Sequence, residues 1–365
     1  MPSTVHAALI ETLKRHFVLR NSRLETLAVL IVALVQGRTV NLSHVASRFP
    51  GAAQHGSNYR RLQRFFQSIR LDQAVVAQLV VRMLNLSRPK CLALDRTNWK
   101  VGCKDINILM LAIVTRRFRV PLLWAVIDHQ GSSNTGQRIE LTRRYLSLFG
   151  AASIELLLAD REVIGADWVK FLMENKVPFA IRVKQGQCVA LADGRLWTIK
   201  SLLRRRRRKS RSLTTFEASL PDASTALSFA AKWIDGRKGQ QGEWLIVMTN
   251  SPNAKAAISA YKDRWAVECL FADTKTRGFD MEDTRMTAPD KIDTLTAILA
   301  IAVTWAYRCA TRTMGLKAIK RKVHGRREKS WFRTGLDALR AWITFAPQNA
   351  VRAWQNQFPK RFKIP

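Results

Sequence analysis

The chain has 365 residues, with 61 Lys and Arg against 27 Asp and Glu, a formal net charge of +34. Apolar residues make up 47%, enough for packed cores, which excludes a wholly disordered basic tail. So large a positive excess points to a polyanionic partner, nucleic acid first and an anionic membrane second, and the length predicts two or three domains at roughly 150 residues each.

Residues 1–88 read as all helical. Apolar residues recur at helical spacing through Val5–Phe17, Leu24–Val35 and Leu71–Leu84. Ser22 and Glu25 have capping-box spacing ahead of the second run, and Gly37 closes it. Ser57 is the expected N-cap of a further helix that puts Arg60 and Arg64 on one face and turns Leu62, Phe65 and Phe66 to a core. Two readings of that arginine face stand together: phosphate contact, or an ordinary solvated surface.

From Cys91 the period changes. Cys91–Leu94 is a short strand-like run ending at Asp95, and Ile106–Val114 and Phe118–Ile127 flank Thr115-Arg116-Arg117 as a hairpin. Gln137–Phe149 reads as a helix, Ile154–Ala159 as a strand ending at Asp160, Trp168–Asn175 as a helix and Pro178–Val183 as a strand. A hairpin followed by helix-linked strands is a mixed α/β pattern.

Residues 186–255 read as a β-rich insertion. Asp193-Gly194 marks one hairpin, and Leu227–Ile234 with Glu243–Thr249 marks a second. Inside it Arg204, Arg205, Arg206, Arg207, Arg208 and Lys209 form a basic block, expected as an exposed loop that either grips DNA phosphate or is simply solvated. Helical patterning returns at 254–275, Ile292–Met314 and Trp331–Ile343. The apolar run Thr294–Tyr307 falls short of the ~20 residues of a membrane span and reads as a core helix. Five scattered cysteines with no C-x-x-C pair, and only six histidines, argue against a zinc finger or a disulfide framework and for reduced, intracellular thiols.

Acids are scarce, so their placement carries information. Asp95 and Asp160 each follow a short apolar run, where open α/β sheets collect active sites. Two carboxylates on neighbouring strands repel unless a cation lies between them, and hard cations take such oxygen ligands. On spacing alone, ordinary strand-end turns explain both slightly better. A third element follows. Tyr261, Arg264, Glu268 and Lys275 form Y-x2-R-x3-E-x6-K; on a continuous helix at 100° per residue they share one stripe within about 60°. That stripe suits a metal-binding carboxylate among phosphate contacts, or a surface salt-bridge ladder.

With Leu94-Asp95-Arg96-Thr97, Leu158-Ala159-Asp160-Arg161-Glu162 and the Y-R-E-K stripe in this order, residues 57–315 resemble the DDE transposases of bacterial insertion sequences. The resemblance implies an α/β fold with a ribonuclease H-like mixed sheet, a β-rich insertion before the last catalytic Glu, an N-terminal all-α domain and C-terminal helices. The implied division is 1–88 helical and DNA-binding, 89–185 first part of the catalytic core, 186–255 insertion, 256–315 second part of the core and 316–365 basic helices. It implies Asp95, Asp160 and Glu268 as catalytic metal ligands for two Mg²⁺, with Mn²⁺ a possible substitute. Tyr261, Arg264 and Lys275 would contact phosphates of the transposon end, and Trp244 would stack on a flipped base or, as plainly, fill a core. The partner would be double-stranded DNA, held by a homodimer in the bacterial cytoplasm, with no membrane. A metal-dependent nuclease that cuts without joining, and a non-catalytic DNA-binding descendant, remain the alternatives.

Overall fold

The computed structural model describes residues 4–87, 90–115, 117–207, 213–221, 225–236, 241–315, 317–323, 325 and 327–355, the side chains of 205–207 excepted. Helices α1 (Thr4–Lys14), α2 (Asn21–Gly37), α3 (Leu42–Ala46), α4 (His55–Ser68) and α5 (Gln73–Leu84) come first. The expected caps differ. Helix α2 starts one residue before Ser22, which lies in its first turn, where its carbonyl accepts from the Thr26 hydroxyl at 2.7 Å. Ser57 lies inside the first turn of α4, which starts at His55. By contrast Asp72 caps α5 by accepting from the Ala74 N–H, satisfying one of the donors a helix start leaves open.

Three strands follow as an antiparallel meander: β1 (Lys90–Val101), β2 (Lys104–Val114) and β3 (Arg119–Ile127). Strand β1 does not end at Asp95. It runs six residues further, to Val101, because Thr97, Trp99 and Val101 alternate with polar residues in a strand-favouring pattern, and it turns into β2 at Gly102, whose φ of +59° suits glycine. Then come α6 (Thr135–Phe149), β4 (Ile154–Ala159), α7 (Ala166–Glu174) and β5 (Phe179–Arg182). Helix α6 opens with a complete capping box between Asn134 and Gln137. Strands β1, β4 and β5 are mutually parallel.

The small hairpin β6 (Cys188–Ala190) and β7 (Leu196–Thr198) turns at Asp193-Gly194 as expected. The basic block is a correction: its first residues, Arg204–Arg207, extend a helix, α8 (Ile199–Arg207), rather than a loop. Arg204 is exposed, and 208–212 lie outside the described residues. Strands β8 (Thr214–Ala218), β9 (Leu227–Ile234) and β10 (Glu243–Thr249) do not form a separate sheet. They extend the main one, which among the described residues has eight strands in the order β3-β2-β1-β4-β5-β10-β9-β8. This large mixed sheet with helices packed on it is the ribonuclease H-like α/β architecture.

Helices α9 (Ala254–Ala260), α10 (Trp265–Thr274), α11 (Pro289–Met314), α12 (Trp331–Phe345) and α13 (Pro347–Trp354) follow among the described residues. Helix α10 lies on β1, β2 and β3, whereas α11 packs against β3, α2, α5, α12 and α13. By length and composition α11 could cross a membrane, but 94% of its most apolar stretch is buried inside the protein. Arg308 in its midst is buried, and its guanidinium donates to the carbonyls of Met83 and Ala353. Those carbonyls lie at the last turns of α5 and α13, where helices leave acceptors open.

Candidate active site

The strand register brings the first two acids side by side. Leu94 of β1 pairs with Ala159 of the parallel β4, so the residues that follow are Asp95, still within β1, and Asp160, just past the end of β4. Asp160 ends its strand as expected, and the loop after it is fastened from behind. Arg138 of α6 is buried and donates to the Glu162 carbonyl at 2.8 Å, to the Ile164 carbonyl at 3.3 Å and to the Ser133 hydroxyl at 2.9 Å. Arg96 links the other strand to the same loop, with Nη2 3.5 Å from a Glu162 oxygen.

The Y-R-E-K segment is not one continuous helix. Tyr261–Arg264 forms a 3₁₀ turn between α9 and α10. This break aligns the site, because residues three apart eclipse in a 3₁₀ turn and Tyr261 therefore stands over Arg264. Glu268 follows one α-turn later, on the same face as Arg264. Lys275 lies just past the end of α10.

Three carboxylates meet at one guanidinium. Arg264 Nη1 lies 2.9 Å from Asp95 Oδ2 and 3.9 Å from Asp160 Oδ2, and Nη2 lies 2.5 Å from Glu268 Oε1. The Tyr261 hydroxyl donates to Asp160 Oδ1 at 3.3 Å, and its ring centroid lies 5.8 Å from the Arg264 guanidinium carbon. Burial pushes the Asp95 carboxyl up to about 6; the Arg96 N–H and Arg264 pull it down, and Asp160 and Glu268 push it further up. Burial also raises the Tyr261 phenol, so it keeps the proton it donates.

The remaining sequence-predicted residues sit elsewhere. Lys275 donates to the Asn98 carbonyl at 3.0 Å, pairs with Glu282 at 2.8 Å and lies 5.6 Å from the Trp99 ring centroid. Trp244 is only 8% exposed and packs edge-on against Trp233 at 5.5 Å. Arg60 and Arg64 are exposed on α4 with Leu62, Phe65 and Phe66 buried behind them. The side chains of Arg205 and Arg206 lie outside the described residues.

Two features escaped sequence reasoning. Trp265, between Arg264 and Glu268, is 65% exposed. Asp273 is buried on α10, where it accepts from Arg119 Nε at 3.1 Å and from the Tyr307 hydroxyl at 3.2 Å. It ties the helix carrying Glu268 to β3 and α11. The available signal was an acid five residues after Glu268, turned away from the Y-R-E-K stripe among Val267 and Leu270. Gly278 closes the same helix end: a Cβ there would collide with the Asp273 carbonyl and the Phe332 ring.

The donors are all carboxylate oxygens, the set hard divalent cations prefer, and three acids against one guanidinium leave excess negative charge, so the residues fit such a cation in chemistry. Among the described residues no three His, Cys, Asp or Glu side chains stand ready-spaced around a metal position; Arg264 lies among these three. The family described as the transposase DDE domain matches residues 86–305, a stretch that contains the whole acid cluster. The chain belongs to the DDE transposase family. No curated protein matches it. The family fits the charge: it implies a DNA substrate, and a +34 excess has the sign that attracts a polyanion.

Proposed function

We propose that this DDE transposase binds the terminal inverted repeats of its mobile element, cleaves at their ends and joins them to target DNA. The convergence of Asp95, Asp160 and Glu268 on Arg264 is the observation that supports this reading most directly. The three carboxylates would hold Mg²⁺, with Mn²⁺ a substitute; such ions activate a water or 3′-hydroxyl and stabilise the leaving oxygen.

The chain's own residues do the rest. Arg264 and Lys275 fix the phosphates of the transposon end, and Tyr261 holds Asp160 in place through its hydroxyl. The exposed Trp265 offers the stacking surface that the buried Trp244 does not. Arg60, Arg64 and the block starting at Arg204 extend the phosphate track. Two ends require two active sites, so the working form is a homodimer on double-stranded DNA, in the bacterial cytoplasm.

The direct test uses Asp95→Asn, Asp160→Asn and Glu268→Gln with a supercoiled plasmid carrying the DNA that flanks the gene. Each variant should lose Mg²⁺-dependent cleavage while DNA binding holds or tightens, since each removes one negative charge from a DNA-facing surface. Full cleavage by any one of them would remove that residue from the site.

A further inference from the structure

We infer that in the DNA-free protein Arg264 is the counter-charge of the acid cluster in place of a divalent cation, and that a DNA phosphate draws it away and so opens the cluster to metal. This rests on the metal reading of Asp95, Asp160 and Glu268 given above.

One guanidinium bridges all three acids, and its side chain is only 10% exposed. Carboxylates packed this closely need a cation, because unpaired buried charge is costly. Lys275 does not supply it, being paired with Glu282 and the Asn98 carbonyl. Tyr261 is placed to hold the guanidinium in the cluster, its ring against the cation and its hydroxyl on Asp160. A divalent cation entering this space meets a fixed positive charge in the middle of its ligands, and like charges at that range repel strongly.

Arginine is suited to leave. Its planar fork pairs with phosphate as well as with carboxylate, and the Glu268 side chain, 45% exposed, marks the side open to an arriving backbone. With DNA bound, the guanidinium exchanges carboxylates for phosphate and the acids lose their counter-charge. Metal and DNA are then thermodynamically linked: each raises the affinity for the other by the same factor. A transposase built this way stays without metal until it holds DNA.

Mn²⁺ binding, read from the EPR signal of the free ion, tests this without any reaction. In the DNA-free full chain, Arg264→Gln should bind Mn²⁺ at least ten-fold more tightly than the wild type, and adding Asp95→Asn should abolish the gain. The wild type should gain comparably when a 20-base-pair duplex of arbitrary sequence is added, after subtraction of ions bound by the duplex alone; this arm needs no variant to fold. Equal Mn²⁺ affinity in wild type and Arg264→Gln, or a wild-type affinity indifferent to the duplex, overturns the exchange and leaves the metal reading standing. No Mn²⁺ binding in any form, with or without DNA, overturns both.

Discussion

Arg264 Nη1 and Asp95 Oδ2 lie 2.9 Å apart although 169 residues of chain separate them. The pair joins the 3₁₀ turn before α10 to the middle of β1, so the two halves of the acid cluster are held in register by charge as well as by packing. A double-mutant cycle with Arg264→Gln and Asp95→Asn should show a coupling energy of about 1–3 kcal/mol in chemical denaturation without divalent ions. Simple additivity would mean that the pair does not organise the cluster.

Asp273 should matter to the site from a distance. Its carboxylate is buried between Arg119 and Tyr307, and removing one partner of a buried pair costs about 3–5 kcal/mol. Asp273→Ala should lower the urea midpoint accordingly. Asp273→Asn, which keeps the shape and an acceptor, should lose less. In both, the loosened α10 displaces Glu268, so cleavage should fall while DNA binding is kept; unchanged cleavage in a clearly destabilised variant would disconnect Asp273 from the site.

Gly278→Ala tests the same helix end by sterics. With no room for a Cβ beside the Asp273 carbonyl and Phe332, the turn must shift, at a cost of about 1–3 kcal/mol typical of overpacking. A thermal midpoint equal to that of the wild type would show that the turn yields freely.

Much of the sheet was legible because its strands are apolar runs bounded by turn residues. Ile106–Val114 and Ile154–Ala159 could be read directly. The second half of β1 was hidden, since Arg96–Val101 is polar on one face and its β-branched and aromatic residues are spread between charges. The helix at Arg204 was hidden for another reason: consecutive cations repel, which favours a loop reading, whereas the preceding Ile199 and Leu203 are buried and anchor a helix. At the site, spacing revealed Tyr261, Arg264 and Glu268 as one face. It could not reveal that a 3₁₀ turn aligns Tyr261 with Arg264, since over four residues such a turn and an α-helix carry the same pattern, nor that Trp244 packs on Trp233, since that depends on the register of the β9–β10 hairpin.

Salt should govern DNA binding. Each phosphate neutralised by Lys or Arg steepens the log–log salt dependence by roughly 0.9. Replacing 204–209 with Ser should make the slope shallower by several units, and Arg60→Ser with Arg64→Ser by about two. An unchanged slope would make either face a solvated surface.

On the proposed function, the acid cluster joins DNA ends as well as cutting them. The most direct measurement incubates the protein and Mg²⁺ with a duplex bearing the inverted repeat that flanks its gene and a supercoiled target plasmid, and sequences the products. The expected products are repeat 3′ ends joined covalently to target strands, lost in Asp95→Asn, Asp160→Asn and Glu268→Gln and sharply reduced in Arg264→Ala and Lys275→Ala. Cleavage of the duplex with no joined product, at equal rates on repeat and arbitrary sequence, would contradict it and mark the protein as a nuclease.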